Sequence, residues 1–173
     1  DLLSFKKLFG TGNQLGMRFK YTFQAKQKGI PDAINVANKF IAQQPFVLAL
    51  ADNLFIGDSF KKTLKQVQSI KSGAAVLAVK TKYPSKSAVI DLGKKGKIKS
   101  IIEKPKKPRS NLTIPGLYFY DSVSKTVVRK LKPSKRGELE IVDVHLDYLE
   151  KQQLKVLTIK KDIKWFDTGD AEE

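Results

Sequence analysis

The chain has 173 residues, 41% of them hydrophobic, and 33 Lys and Arg against 17 Asp and Glu give a formal charge of +16. That length suits one domain able to bury a core, no apolar run approaches the length of a membrane span, and zero cysteines exclude disulfides, thiolate nucleophiles and zinc–thiolate sites. The lysines are spread along the chain without interleaved aromatics, which reads as a solvated surface rather than a nucleic-acid face.

Taken in chain order, residues 1–9 read as a short helix ended by Gly10. The start at Asp1, without methionine and already inside that helix, reads as a chain cut from something longer. No basic, apolar leader precedes it, so a cytoplasmic protein is expected. Residues 17–24 (MRFKYTFQ) alternate like a strand, with Phe19, Tyr21 and Phe23 on the apolar side. Gly29-Ile30-Pro31-Asp32 opens a helix with Ala33, Ile34, Ala37, Phe40 and Ile41 on one face, and Pro31 suits its first turn. Residues 45–51 (PFVLALA), with a helix on either side, predict a central parallel strand covered on both faces. Asp58 is the expected cap of a helix from Ser59 to Ile70, with Phe60, Leu64, Val67 and Ile70 inward.

Residues 74–81 read as a strand, and Gly93–Gly96 as the turn of a hairpin between SAVIDL (87–92) and KIKSIIEKP (97–105). A strand over 112–121 carries a Pro115-Gly116 break. Helices follow over roughly 122–131 and from Glu140 to Lys151, the second with Val142, Leu146 and Leu149 inward. LKVLTIKK (154–161) and IKWFDTGD (163–170) close the chain as strands, and the terminal residues stop where a helix would begin. Alternating helical and extended patterns predict an α/β layer fold. No repeat, linker or low-complexity segment appears, so residues 1–173 are expected to form one domain.

Four features carry chemistry. Asp52 follows a buried strand, at the kind of strand end where open α/β sheets bind ligands. It suits a hard-cation ligand or a helix cap about equally. Asp167 also ends an apolar strand; the two carboxylates together could share one divalent ion for a reaction at phosphate, while singly Asp167 reads as a turn bonded to the Gly169 amide. Lys104 at a strand end offers a point charge to a phosphate and Glu103 an acceptor for sugar hydroxyls, or the pair is a surface salt bridge. His145, on a helix among apolar neighbours, reads as a core histidine. No serine–histidine, zinc or P-loop signature occurs.

The segments LADNLFIG (50–57), IIEKP (101–105), GLYFYD (116–121), LKPSKRGELEIVDV (131–144) and WFDTG (165–169), in this order, resemble the sugar-1-phosphate nucleotidyltransferases, most closely the glucose-1-phosphate thymidylyltransferases. The resemblance implies a Rossmann-like nucleotide-diphospho-sugar transferase fold, a mostly parallel central sheet with helices on both faces, truncated at its N-terminus. It implies that Mg²⁺ brings dTTP and glucose 1-phosphate together, that the sugar phosphate attacks the α-phosphorus, and that pyrophosphate leaves. Asp52 and Asp167 would hold the metal, Lys104 would contact the sugar phosphate and Glu103 the sugar hydroxyls. Gln24 and Gly29 match the base-reading segment; Gly116 and Tyr118 match the sugar side, as does Ala88 at a position where the family carries glycine.

Ala51 likewise replaces the glycine before the aspartate, and Ile114-Pro115-Gly116 replaces a family Val-Thr-Gly. The family's opening strand and glycine-rich loop, GGxGTRL, have no counterpart in the 173 residues. The chain alone is therefore expected to be inactive or impaired. Uridylyl transfer, a non-catalytic sugar-nucleotide-binding fragment and, last, a basic nucleic-acid binder are the alternatives. The expected partners are a nucleoside triphosphate and a sugar 1-phosphate, with neither nucleic acid nor membrane. The resemblance also leaves a homo-oligomer open, since members of that family often form homotetramers.

Overall fold

The computed structural model describes residues 2–169. Among them the helices are α1 (Leu2–Phe9), α2 (Ile30–Val36), α3 (Asn38–Ile41), α4 (Phe60–Gln68), α5 (Ser124–Val128) and α6 (Ile141–Glu150). The strands are β1 (Phe46–Ala49), β2 (Asn53–Ile56), β3 (Ala74–Lys80), β4 (Ala88–Leu92), β5 (Ile98–Ile102), β6 (Leu112–Ile114), β7 (Leu117–Tyr120), β8 (Leu154–Thr158) and β9 (Lys164–Asp167). Asp1 and the residues from Asp170 onward, to which the first helix and the last strand were extended, lie outside the described residues.

β3 is the spine. Its run of small apolar residues is buried on both faces, and the two-residue period of a strand sends alternate side chains to opposite sides. Ala74, Val76 and Ala78 join a large core with α2, α3, α5 and α6, while Ala75 and Leu77 join a smaller one with Val67 of α4, Leu117 and Phe119. Helices thus cover both faces, as expected. The sheet itself is mixed but not mostly parallel: only β3–β8 is parallel, and the other pairings among the described residues are antiparallel. An apolar run reports burial and not direction, so the alternation of elements overstated the number of parallel crossovers.

The other edge of β3 pairs with β7 at one end and β6 at the other. These two strands are one extended run interrupted at Pro115-Gly116, where proline has no N–H to give to a ladder. Beyond the interruption the sheet forks: β1 pairs with β7, and β4, followed by β5, pairs with β6. β2 and β9 form a separate antiparallel ribbon whose register sets Asn53 opposite Asp167.

Several local expectations give way to tertiary packing. β1 pairs only with β7 among the described residues, and its alternating burial, with Val47 52% exposed, makes it an edge strand rather than a central one. Residues 17–24 form no strand; Phe19 instead packs its ring on Phe9 and Tyr21, and Phe23 is exposed. The helix foreseen from Ile30 to Ile41 is split at Ala37, which leaves Phe40 59% exposed. Leu146 of α6 is likewise 38% exposed, whereas Val142 is buried. Asp58 does not cap α4: the N-cap is Ser59, which makes no side-chain capping bond, and its N–H donates to Asp162 Oδ2 at 2.9 Å, an anchor 103 residues away in sequence. That bond holds the Asp162 carboxyl below its ordinary range.

Candidate active site

The fork opens a cleft of about 220 Å³ over Pro115-Gly116. One wall comes from the end of β1 and the turn after it, where Leu50 N–H donates to Gly116 O at 2.8 Å and Asp52 follows. The other comes from the start of β4 and the end of β5, with Ala88, Glu103 and Lys104. Tyr118 and Gly116 form the floor, and Trp165 and Asp167 arrive from β9. Gly116 is required by the packing: a Cβ there would lie 2.6 Å from Leu50 Cδ1.

Thus Asp52, Ala88, Glu103, Lys104, Gly116, Tyr118 and Asp167 line one cleft, although 115 residues separate the first from the last. Gln24 and Gly29 do not line it. They sit together at the start of α2, the Gln24 amide donating to Gly29 O at 3.3 Å and to Asp32 Oδ2 at 2.8 Å, next to Ile30, which does line the cleft. Gly29 has φ +94°, and its close neighbour is the Leu139 backbone.

Asp52 and Asp167 are neighbours across the β2–β9 ribbon. Thr168 ties them, its N–H and hydroxyl both donating to Asp52 O at 2.7 and 3.0 Å. A Cβ on Gly169 would lie 3.0 Å from Asp52 Oδ2 and 3.3 Å from Asp167 Oδ1, so both carboxylates border the same small space. The Gly169 N–H donates to Asp167 Oδ1 at 3.1 Å, which is the turn bond read from the sequence; a second oxygen remains for a ligand. Asp52 is exposed to solvent, and the apolar run it follows is itself only half-buried, so no carboxylate has to leave water there.

Among the described residues no group of three or more His, Cys, Asp and Glu gathers around one point. Two hard oxygens in a wet site suit an ion such as Mg²⁺, which keeps several waters and takes one or two carboxylates plus substrate phosphates. The donor set therefore fits such an ion shared with a ligand, and does not suit a closed protein cage.

Burial raises the Glu103 carboxyl; the Lys104 ammonium lowers it, Glu140 and Asp143 add to the rise, and Arg136 opposes it. Arg136 and Glu140 form a two-pronged ion pair, Nη2–Oε2 2.7 Å and Nε–Oε1 3.1 Å, and Ser134 Oγ also donates to Glu140 at 2.6 Å. Tyr118 is pushed far up by burial, then by the Glu103, Asp52 and Asp167 carboxylates, so its phenol keeps its proton at any working pH. Lys104 holds φ +38°, a left-handed backbone that side chains rarely adopt, and its N–H donates to Ser87 O at 3.3 Å. Such conformations persist where surrounding structure fixes them, as at ligand sites.

The cleft residues that the sequence reading did not assign to the site include Asn53, Lys86 and Trp165. Asn53 is the joint of the site. Its Oδ1 accepts from Gly116 N–H and from the Trp165 indole N–H, both at 2.7 Å, and its Nδ2 donates to Asp52 Oδ1 at 2.8 Å. The signal was present in part, since a lone tryptophan ending an apolar strand needs an acceptor for its N–H. Asn53→Ala strips the acceptor from two donors and should destabilise by roughly 2–3 kcal/mol. Urea denaturation and the emission maximum of Trp165 would report it; an unchanged midpoint and spectrum would refute this arrangement.

The nucleotidyl transferase family pattern matches residues 1–173. Glucose-1-phosphate thymidylyltransferase of Neisseria meningitidis serogroup A / serotype 4A is 39% identical over 172 residues, covering 99% of this chain and 60% of that relative. The protein of the same name from Mycolicibacterium smegmatis is 36% identical over 169 residues, covering 98% and 58%. A crystal structure of a Bacillus anthracis protein described as a glucose-1-phosphate thymidylyltransferase, in complex with sucrose, superposes with TM-score 0.88 at 32% identity, covering 98% of this chain and 68% of that one. A UDP-glucose pyrophosphorylase complexed with UDP-glucose shares the fold at TM-score 0.80 and 23% identity, covering 99% and 69%. The chain spans 60% of the length of the Neisseria meningitidis relative.

Proposed function

The chain belongs to the nucleotidyl transferase family, and from that premise we propose that, as one domain over residues 1–173, it carries the reacting face of an Mg²⁺-dependent transfer of a thymidylyl group from dTTP to glucose 1-phosphate. In that reaction a phosphate oxygen of the sugar phosphate bonds to the α-phosphorus while the bond from that phosphorus to the bridging oxygen breaks, and pyrophosphate leaves. The observation that carries the reading is the convergence of Asp52, Asp167, Glu103 and Lys104 on one cleft at the fork of the sheet.

The chemistry asks the protein for position and charge more than for covalent work. Asp52 and Asp167 would hold the ion, which when bound neutralises charge on the reacting phosphates. Lys104, set by its constrained backbone, would meet the sugar phosphate, with Lys86 on the same wall. Glu103 would accept from sugar hydroxyls, with the adjacent Lys104 ammonium offsetting part of the burial that raises its carboxyl. Gly116 and Ala88 bring backbone close to the sugar, Tyr118 forms the wall beneath, and Gln24 with Gly29 shapes the base side through Ile30. A cytoplasmic setting, where nucleoside triphosphates are at hand, belongs to this reading.

Three carboxylates and two lysines line the cleft. A triphosphate and a sugar phosphate together carry more negative charge than these lysines and one divalent ion offset, so the isolated 173-residue chain should bind these ligands and turn them over poorly. Uridylyl transfer would use the same groups.

The test is thermal stabilisation by dTTP, UTP, dTDP-glucose and a DNA oligomer, each with and without Mg²⁺. A native-state ligand at about 100 times its Kd adds roughly 2.7 kcal/mol. The expected result is stabilisation by dTTP and dTDP-glucose, greater with Mg²⁺, and Asp52→Asn should remove the Mg²⁺ increment. Stabilisation by DNA and by no nucleotide would overturn the reading, and an increment unchanged in Asp52→Asn would reject Asp52 as a metal ligand.

A further inference from the structure

On the outer helical side, away from the residues of the cleft just described, α3 and α5 enclose a second hollow of about 240 Å³. Its lining is two short rows at helical spacing. Asn38, Lys39, Ala42 and Gln43 come from α3 and the turn after it, and Ser122, Lys125, Thr126 and Arg129 from α5 and its flanks. Residues three and four apart lie on one helix face, so Lys125 and Arg129 rise from the same side one turn apart, facing Lys39 of α3 across the hollow. Three cations and several neutral donors line the hollow, and no carboxylate does.

Lys125 makes this more than a sample of a lysine-rich surface. It is only 8% exposed, among the few charged side chains buried in the described protein, and it opens onto this hollow. Its ammonium makes no hydrogen bond or ion pair among the described residues. Asp121, the acid nearest in sequence, is turned away: Oδ2 accepts from Gly73 N–H at 2.6 Å, and Oδ1 from Val123 N–H at 3.0 Å and Tyr148 hydroxyl at 2.5 Å. The Lys125 stem is buried and its ammonium meets the hollow beside two more cations with no carboxylate in the lining, so an anion bound there would relieve their mutual repulsion.

We propose that this hollow is a second anion site that takes a phosphate group, either inorganic phosphate or a small phosphate ester, with Lys125 at its base and Lys39 and Arg129 at its rim. Arg129 supplies a planar fork suited to two phosphate oxygens, Lys39 and Lys125 supply point charges, and Thr126 and Gln43 supply neutral donors. The site stands independently of the nucleotidyl-transfer reading, because it shares no residue with the cleft.

The test is a residue-resolved NMR titration of the 173-residue chain with inorganic phosphate, pyrophosphate and glucose 1-phosphate, at constant ionic strength maintained with chloride. Expected are saturable shifts in the amides of residues 38–43 and 122–129, present in wild type and in Asp52→Asn alike. Lys125→Met, which keeps an apolar stem, should weaken phosphate binding there about tenfold or more. Arg129→Gln, at an exposed position, should do the same without touching the core. Saturation by phosphate but not by glucose 1-phosphate assigns the free ion; the reverse assigns the ester. No shifts in these two segments, shifts scattered evenly over the surface lysines, or binding unchanged in Arg129→Gln with Lys125→Met folded would overturn the proposal.

Discussion

Acidification below pH 6.5 should destabilise the protein by up to about 1.4 kcal/mol per pH unit through one side chain, His145. The ring is fully buried, between Tyr118 at 5.2 Å and Tyr120 at 6.0 Å, its Nε2 within 2.8 Å of the Tyr120 hydroxyl and its Nδ1 without a partner. Burial disfavours the imidazolium and drives the pKa from 6.5 down to about 3. The unfolded chain therefore binds a proton that the folded one refuses. The stability is intact above pH 6.5 and lost progressively as pH falls toward 3.

Glu103 works in the opposite sense. Its carboxyl is raised by burial, so the folded chain holds a proton that the unfolded chain has released, and this group destabilises as pH climbs from its ordinary value of 4.5. Asp143, raised for the same reason, sides with it. Glu140 and Asp162, both held low, add acid lability only below 4.5 and 3.8. Urea midpoints at pH 7, 6 and 5, taken in a Glu103→Gln, Asp143→Asn background, isolate the histidine. There His145→Phe should lose about 1–2 kcal/mol at pH 7 with the Tyr120 hydrogen bond, and should flatten the pH dependence so that the two curves converge on acidification. Parallel curves would show that His145 is not the group responsible.

Gly29→Ala should cost roughly 3–5 kcal/mol and lower Tm by roughly 10 °C. Two independent reasons coincide there. The backbone, at φ +94° and ψ 167°, lies in a region essentially reserved for glycine. In addition, a Cβ would stand 2.1 Å from Leu139 O and 2.9 Å from Leu139 N, whose N–H donates to Lys28 O at 2.9 Å. Neither neighbour is the tip of a flexible side chain, so the crossing of two backbone segments must open. Those segments lead into Ile30 and Ile141, both walls of the cleft. Gly137→Ala is the control: it has φ +80° but nothing within 4 Å, and should cost only about 1–2 kcal/mol. Equal losses in calorimetry would show that the crossing is not tight.

The chain's pattern was enough to find α1, α4, β3, the β4–β5 hairpin, the break in the 112–121 run, α6 and β8, because each rests on local periodicity, a glycine or proline, or a buried apolar run. It was also enough to place His145 in the core, where its only chemistry is that of a histidine among tyrosines. The resemblance of a few ordered segments points to Asp52, Glu103, Lys104 and Asp167 from the sequence alone. What local pattern could not supply was strand direction, edge against centre, and partner. The Phe46–Ala49 run is apolar whether it lies at the middle of a sheet or at a fork, and MRFKYTFQ alternates whether or not a neighbouring edge is present to accept it. The anchor of the α4 start comes from Asp162, the acceptor for Trp165 and Gly116 from Asn53, and the base of the second hollow from Lys125. The amino-acid order by itself determined which side chains must leave water and which carboxylates and lysines were available. Only the tertiary structure decided which of them meet, because each of these contacts joins residues distant in sequence, and the energy of a hydrogen bond or a charge depends on the partner brought to it.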